Sequence, residues 1–288
     1  MSEKTQRGRI WRSWKNHLAT GTALLGTLIV IAPLLAIFIY LIYKGASSLN
    51  LAFFLQVPQP VGETGGGMAN AIVGSGVLLA VASLIGIPIG IASGVYLAEF
   101  GRKRLLSNLV RFTADVLNGV PSIVMGIAVY TLIVVPQQHF SAFSGGVALG
   151  LMMIPTVTRT TEEMLLLVPH SIREAALGLG VPNWRSTLSI TLRTASAGII
   201  TGCMLAFARV AGETAPLLFT AFGNSDRSLA LNQPIAALPL QIFVYAVSPY
   251  NDWHRLAWAG SLVLIILIVI SVSLVRFVTS RGVLKGAN

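Results

Sequence analysis

The sequence predicts an all-α membrane protein, a polytopic bundle of six transmembrane helices. Of its 288 residues, 54% are hydrophobic and only 10% are charged, whereas soluble domains carry about 25% charged residues. The apolar residues are gathered in runs that can cross a hydrocarbon core of about 30 Å as helices. We therefore expect helices packed against one another in a membrane, with no soluble core.

The six predicted spans alternate with polar or Pro/Gly-rich connections. The first apolar run is longer than the hydrophobic region of a signal peptide, so it is predicted to be a retained helix. In the connection after the fifth span, PIAALPLQIFVYAV is too short and too interrupted by proline to span, which predicts an interfacial or re-entrant segment. The predicted spans cover residues 18–43, 69–97, 110–135, 145–168, 195–222 and 256–278.

The basic residues predict the orientation. Fifteen of the 20 Lys and Arg residues flank one set of span ends, three flank the opposite set, and two lie within spans. Because basic loops stay in the cytoplasm, both termini are expected there, with the chain in the cell (inner or plasma) membrane. The same clustering argues against a nucleic-acid-binding surface. The predicted organisation is a cytoplasmic segment 1–17, a first helix 18–43, a five-helix unit 69–278 and a cytoplasmic tail 279–288.

Several polar residues are given structural roles. Cys203 is the single cysteine and lies in an apolar run, so no disulfide is expected, and the scattered histidines predict no metal site. Asp115 is expected to pair with Arg111 on its own helix, and Glu99 with the basic run 102–104 to anchor at the interface. No G-x-x-x-x-G-K-[ST] segment occurs, so the energy for any transport must come from another subunit or an ion gradient.

The connection between the fourth and fifth spans predicts a helical elbow on the cytoplasmic face. It reads PHSIREAALGLGVPNWRSTLSITLRT over residues 169–194. Ser171 can cap a helix with Glu174 three residues later, as in a capping box, and Gly180 can end it. A second short helix is expected from about Asn183, and the alternative is an ordinary connection between helices. Two small residues would allow a partner to approach closely: Ala175 and Ala176.

Two charged residues lie inside the fifth span, in the segment AFARVAGETAP (206–216). On a continuous helix Glu213 lies one turn beyond Arg209 on the same face. A charged group at mid-span costs about 2.5–3.5 kcal/mol on insertion scales, so Arg209 must face protein or water. Gly212 and Pro216 predict a soft point, because proline leaves the Gly212 carbonyl without its usual partner.

The fourth span repeats this arrangement. Thr156, Arg159, Thr160 and Glu163 share one helix face, and Glu162 is also within reach of Arg159. Guanidinium groups match the geometry of an oxyanion, and threonine hydroxyls can add donors. The groups would either line an anion pathway or form ion pairs that fix packing or gate a pore. The predicted pathway or gating residues are Arg159, Thr160, Glu162, Glu163, Arg209 and Glu213.

The elbow also carries a family resemblance. Glu174-Ala175-Ala176, Gly180 and Ile190-Thr191-Leu192 resemble the EAA loop of the permeases of binding-protein-dependent ABC importers, with Arg193 standing where the family has a proline. The resemblance implies the type I importer permease fold. It also implies that the loop 169–193 is a coupling loop, seated in a cleft of a separate ATP-binding subunit through Glu174, Ala175, Ala176 and Gly180.

The resemblance narrows to phosphate permeases of the PstA type. It is carried over residues 63–260 by ETGGGMANAIVGSG, IPIGIASGVYLAEFGR, VPSIVMGIAVY, TRTTEEMLLLVP and RVAGETAPLLFTA. It implies a non-catalytic subunit that forms half of the pore of a phosphate importer, in the lipid membrane. The implied partners are a PstC-type permease, a dimer of PstB-type ATP-binding subunits that use ATP and Mg, and an external PstS-type phosphate-binding protein.

Three other functions stay open from the residues. One is a permease for another oxyanion, such as molybdate or sulfate. Another is an anion carrier driven by an ion gradient, which would not need the elbow. The third is a membrane scaffold without transport, for which paired charges at mid-span would bring little gain.

Overall fold

The computed structural model describes residues 3–60, 63, 65–101 and 105–285, with side chains for 11–60, 63, 65–101 and 105–277. In this described part the regular secondary structure is helical, apart from an isolated bridge between Phe222 and Ile235. Single π-helical turns extend α3 through Tyr96–Phe100, extend α5 through Tyr130–Val134 and join α9 to α10 through Thr187–Thr191. The helices are α1 (Glu3–Ala46), α2 (Leu51–Leu55), α3 (Ala69–Val95), α4 (Leu105–Gly119), α5 (Ser122–Val129), α6 (Val135–Gln137), α7 (Ala142–Leu166), α8 (His170–Gly178), α9 (Asn183–Ser186), α10 (Leu192–Ala211), α11 (Ala215–Thr220), α12 (Leu238–Ala246) and α13 (Asn251–Lys285).

The long helices run between two ends of the bundle. We call the end that carries α8 and α9 the elbow end, and the end that carries α2, α11 and α12 the far end. α1 finishes and α13 starts at the far end, where the rings of Tyr40 and Trp258 lie 5.2 Å apart. α3 and α7 run from the far end to the elbow end, while α4 and α10 run in the opposite direction.

The centre of the bundle is a close parallel contact between α3 and α7. Glycines at four-residue spacing on α3 clear a stripe into which side chains of α7 fit, as in membrane helix pairs with small residues at the contact. A Cβ added at Gly86, Gly90 or Gly94 would lie only 2.5–2.7 Å from a Cβ of α7. The facing residues, in the same order, are Met153, Val157 and Thr161.

The all-α membrane fold is confirmed, and the number of spans is not. Within the described residues, four helical stretches are long and apolar enough to cross a membrane: Trp11–Ala46, Ala69–Phe100, Asn183–Ala211 and Asn251–Phe277. A fifth arises if Leu105–Gly119 and Ser122–Gln137 form one broken span. α7 is not among them, since its second half carries three charged residues, although it joins the two ends of the bundle. Six spans therefore stay a prediction.

Two of the predicted spans are not continuous helices. In the predicted span 110–135, α4 and α5 meet at 108° around Pro121, which has no N–H to donate to a continuing helix. In the predicted span 195–222, α10 stops at Ala211 and α11 starts at Ala215. The soft point expected here is confirmed as a complete break, and Pro216 occupies the first turn of the new helix, where proline is tolerated.

The semi-apolar segment before the last helix forms α12, a helix of nine residues. Its first backbone N–H, on Leu238, donates to Ser75 Oγ of α3 at 2.7 Å. Leu238, Leu240 and Tyr245 are buried against the rest of the far end. α12 is too short to span, in agreement with the interfacial or re-entrant segment expected from the sequence.

The α3–α7 contact predicts that alanine is tolerated on one face of α3 only. A Cβ at Gly90 would lie 2.6 Å from Val157 Cβ, whereas a Cβ at Gly76 on the same helix meets nothing within 4 Å. We expect Gly90→Ala to destabilise the protein by about 1–3 kcal/mol through overpacking, and Gly76→Ala to be close to neutral. Thermal unfolding of the detergent-solubilised protein measures both, and equal midpoints would contradict the assigned contact.

Candidate functional site

Four charged side chains form a network between α4 and α7. Arg159 Nε lies 2.9 Å from Asp115 Oδ1, and Arg159 Nη2 donates to Asp115 Oδ2 at 3.1 Å. Arg159 Nη1 lies 3.0 Å from Glu162 Oε2. The other oxygen of Glu162 accepts from Arg111 Nε at 2.6 Å. The charges therefore alternate along one chain, Asp115–Arg159–Glu162–Arg111, and sum to zero.

The network has an exposed end at Asp115 and a buried acid within it, Glu162. The Glu162 side chain is 4% exposed, whereas that of Asp115 is 53% exposed. Arg111 also donates from Nη2 to the Leu97 carbonyl, in the last turn of α3, at 3.2 Å. Glu162 has both oxygens engaged by guanidinium groups, which offsets the desolvation of its charge. The network thus fixes α4 and the end of α3 to α7.

One sequence-based expectation about these residues is wrong, and two of the predicted site residues lie outside the network. Asp115 does not pair with Arg111 on α4, because both residues have partners on α7. Glu163 is exposed, and no ion pair involves it within the described residues. Thr160 donates its hydroxyl to the Thr156 carbonyl of its own helix at 2.9 Å. Of the groups predicted around Arg159, the structure brings Glu162 to it and adds Asp115.

The predicted pair in the fifth span is not formed. Because α10 ends at Ala211, Glu213 does not continue the helix face that carries Arg209. Arg209 is exposed in the last turn of α10, and no ion pair joins it to any side chain that the structure describes. Glu213 instead lies beside Leu149 and Pro239 at the far end. The unbroken helix assumed from periodicity is the cause of the error.

The two arginines lie at different depths in the bundle. Gly198 and Gly202 of α10 pack against Met164 and Thr160 of α7. Arg209 follows Gly202 by two helical turns on the same face, which places it about 10 Å nearer the far end. The neutral network therefore lies near the elbow end of α7, and the Arg209 guanidinium, which has no ion pair within the described residues, lies beyond it toward the far end.

The first helix of the elbow, α8, ends where the sequence predicts but begins differently. α8 ends in a Schellman motif, in which Gly180 has φ +76°, Gly180 N–H donates to Leu177 and Val181 N–H donates to Ala176. α8 begins at His170, directly after Pro169, and no side chain caps it, so the expected Ser171 cap is wrong.

The second arm of the elbow starts where the sequence predicts, at Asn183. It is not a separate short helix, because it continues through the π turn into α10. Arg193 lies in the first turn of α10. Arginine retains the backbone N–H that proline lacks, which suits an uninterrupted helix at this position.

The elbow exposes the motif residues and apolar side chains together. Glu174, Ala175 and Gly180 are exposed, whereas Ala176 is buried beneath α8. Exposed apolar side chains grouped with polar ones are typical of a surface that binds another protein. The exposed apolar side chains of the elbow are Leu177, Leu179 and Trp184.

An ion pair that sequence reasoning missed links the elbow to α3. Arg173 Nε and Nη2 donate to Glu99 Oε1 at 3.1 and 2.8 Å. The sequence analysis treated Arg173 as an orientation signal and Glu99 as an interface anchor, and no local pattern joins residues 74 positions apart. The basic run 102–104, expected to anchor with Glu99, lies outside the described residues.

The network predicts different effects for two adjacent acids. Glu162→Gln removes the carboxylate shared by Arg111 and Arg159, and we expect a loss of about 1–3 kcal/mol in stability. Glu163→Gln changes an exposed acid and should leave stability nearly unchanged. Thermal unfolding in detergent measures both variants. A similar midpoint for the two would show that Glu162 does not hold the network together.

The chain is similar in sequence to known transport proteins. The profile of the family described as "Binding-protein-dependent transport system inner membrane component" matches residues 86–282. The phosphate transport system permease protein PstA of Yersinia pestis is 44% identical over 281 residues, which cover 98% of this chain and 95% of that protein. The PstA protein of Xylella fastidiosa (strain Temecula1) is 50% identical over 231 residues, 80% of each protein.

The fold is similar to that of a solved transporter. A chain of the MetNI methionine ABC transporter, in an inward-facing conformation, has a TM-score of 0.58 and 19% sequence identity, and the match covers 76% of this chain and 96% of that chain. At this identity the likeness concerns the fold alone. With the profile match and the relatives above, the chain belongs to the binding-protein-dependent inner membrane components and, among them, to the PstA permeases, subunits of ABC transporters.

Proposed function

We propose that this chain is the permease subunit of an ATP-driven importer of inorganic phosphate and forms half of its translocation pore. The observation that carries the proposal is the exposed EAA elbow, with Glu174 and Ala175 at the surface of α8. Because the chain has no P-loop motif, ATP would have to be hydrolysed by a partner, and the exposed elbow offers a surface on which that partner can dock. The names of the PstA relatives support phosphate as the substrate.

The proposed partners follow from two unpartnered surfaces. The elbow fits a PstB-type ATP-binding subunit, which would use ATP and Mg as one of a pair. Asp115, Arg159 and Arg209 are charged and at least partly exposed in this single chain, and charge facing lipid would be costly. A second permease of the PstC type would cover them and complete the pore, and a PstS-type phosphate-binding protein would deliver phosphate.

We assign different roles to the two arginines. Arg159 is neutralised by Asp115 and Glu162, so its guanidinium donors are engaged and suit a gate. Arg209 has no ion pair in the described part of the chain, so its planar donors are free for a phosphate oxygen. In this proposal phosphate passes Arg209 and the network opens and closes below it.

The proposal also fixes the orientation. The elbow end faces the cytoplasm, where ATP is available, and the far end faces outward toward the binding protein. The excess of basic residues at the ends of spans on the elbow side supports this orientation. Both termini are then cytoplasmic, in the inner or plasma membrane.

The role of Arg209 predicts a loss of transport without a loss of ATP hydrolysis. Removing one charged hydrogen bond of about 1.5–3 kcal/mol corresponds to a fall in uptake of about 10- to 100-fold. We expect this fall for Arg209→Gln in proteoliposomes that hold the complete complex, with ATP hydrolysis retained. Arg255→Gln is the matched control, since Arg255 lies on α13, away from α7. Normal uptake by Arg209→Gln would assign its charge to packing, and competition by sulfate or molybdate in the wild type would revise the substrate.

The elbow predicts a loss of both uptake and stimulated ATP hydrolysis when its exposed face is changed. Glu174→Arg reverses a charge on the exposed face of α8 without touching the bundle, so both uptake and stimulated ATP hydrolysis should be lost. Co-purification of the ATP-binding subunit reports whether docking fails. Retained binding and normal uptake would mean that the exposed face of α8 is not the docking surface, and a lone anion carrier would bring down no ATP-binding subunit at all.

A further inference from the structure

Arg173 is the most heavily bonded side chain of the elbow. Besides its two bonds to Glu99, it donates from Nη1 to the Val168 carbonyl at 2.9 Å and from Nη2 to the Leu165 carbonyl at 2.7 Å. The Arg173 and Glu99 side chains are only 14% and 13% exposed. One side chain of α8 is thereby bonded to the last turn of α7 and to the terminal turn of α3.

The bonds of Arg173 restrain the position of α8 more than the peptide link between α7 and α8 does. The last carbonyls of a helix have no partner within it. Arg173 donates to the Leu165 carbonyl, which also accepts from Val168 N–H, and to the Val168 carbonyl just beyond the end of α7. The peptide link through Leu167 to Pro169 holds α8 to α7 at one point. The bonds of Arg173 add points on a second helix, so α8 cannot turn about that link without breaking them.

The elements that Arg173 joins are packed closely together. Along the glycine stripe of α3, an added Cβ would lie only 2.5–2.7 Å from a Cβ of α7. Glu162 lies one turn before Leu165 on α7, and Arg111 bonds the Leu97 carbonyl two residues before Glu99. A displacement of α8 that is passed to the ends of α3 and α7 therefore reaches the charged network directly.

We propose that the ion pair between Arg173 and Glu99, which we call the clasp, transmits movement of the elbow to the helix bundle. Arg173 is then a positioning residue for energy coupling. The inference rests on the proposed function, since it presumes that a partner moves α8. Without the clasp, α8 can follow the ATP-binding subunit while α3 and α7 stay behind. The expected defect is a complex that assembles and hydrolyses ATP without moving phosphate.

The first test separates coupling from folding. In proteoliposomes with the complete complex, Arg173→Met and Glu99→Ala should keep the ATP-binding subunit bound and keep basal ATP hydrolysis. They should lose phosphate uptake and the stimulation of hydrolysis by phosphate-loaded binding protein. The double variant should be no worse than either single variant, because both remove one interaction. Arg276→Met, which removes an exposed arginine from α13, is the matched control and should behave as wild type.

The second test replaces the clasp by a covalent bridge. The variant carrying Glu99→Cys and Arg173→Cys is treated with a reducible bis-methanethiosulfonate reagent; the native Cys203 is buried. We expect low uptake before bridging, recovery after it, and loss again on reduction with dithiothreitol. Each single-cysteine variant with the same reagent controls for modification alone.

The outcomes distinguish the clasp from the function on which it rests. Wild-type uptake by Arg173→Met, or no change on bridging, would overturn the clasp while the phosphate importer stands. Loss of the assembled complex in Arg173→Met, without recovery in the bridged variant, would reduce the clasp to a folding contact. If the wild type hydrolyses ATP but imports no phosphate, the substrate proposal fails, and stimulated ATP hydrolysis in the same variants still decides whether the clasp couples.

Discussion

The parallel contact between α3 and α7 is the constraint on which the rest of the structure depends. Glycines 86, 90 and 94 let the two backbones approach until a single added methyl group would collide. In a membrane, where apolar side chains gain little from leaving lipid, such close packing is a main source of helix association. The contact sets the height of Glu99 against Arg173 and of Leu97 against Arg111. The elbow and the charged network are therefore both attached to the same closely packed pair of helices, α3 and α7.

The helices pack on different partners on the two sides of the breaks in the two broken spans. α4 is held to α7 by ion pairs below its break, and α10 is packed on α7 by Gly198 and Gly202 below its own break. Beyond the breaks, α5 and α11 pack on each other, with Gly126 facing Pro216 so closely that an added Cβ would lie 2.6 Å from its Cα. The two segments past the breaks therefore pack on each other, whereas α4 and α10 below the breaks are held to α7.

The sequence predicted the parts of this protein that depend on local signals. Apolar run length gave the helical membrane fold, Gly180 gave the end of α8, and Gly212 with Pro216 gave the weak point of the fifth span. The wrongly predicted ion pairs arose because local periodicity detects neither contacts across the bundle nor breaks in a helix. Periodicity pairs Asp115 with Arg111, but Asp115 instead forms an ion pair with Arg159 of α7. Periodicity also pairs Arg209 with Glu213, but α10 ends between them. The Arg173–Glu99 pair has no local signal, so only the fold could reveal it.

The contrast between Arg159 and Arg209 follows from the same packing. Arg159 lies where α4 passes close to α7, so acids from both helices can reach it and cancel its charge. Arg209 lies where α10 ends, and the break that starts α11 carries Glu213 away from it. A compensated arginine can stay inside a membrane bundle through a transport cycle at modest cost, since its charge never faces lipid alone. An uncompensated one needs an anion or water beside it, and the exposed position of Arg209 at the end of α10 provides that access.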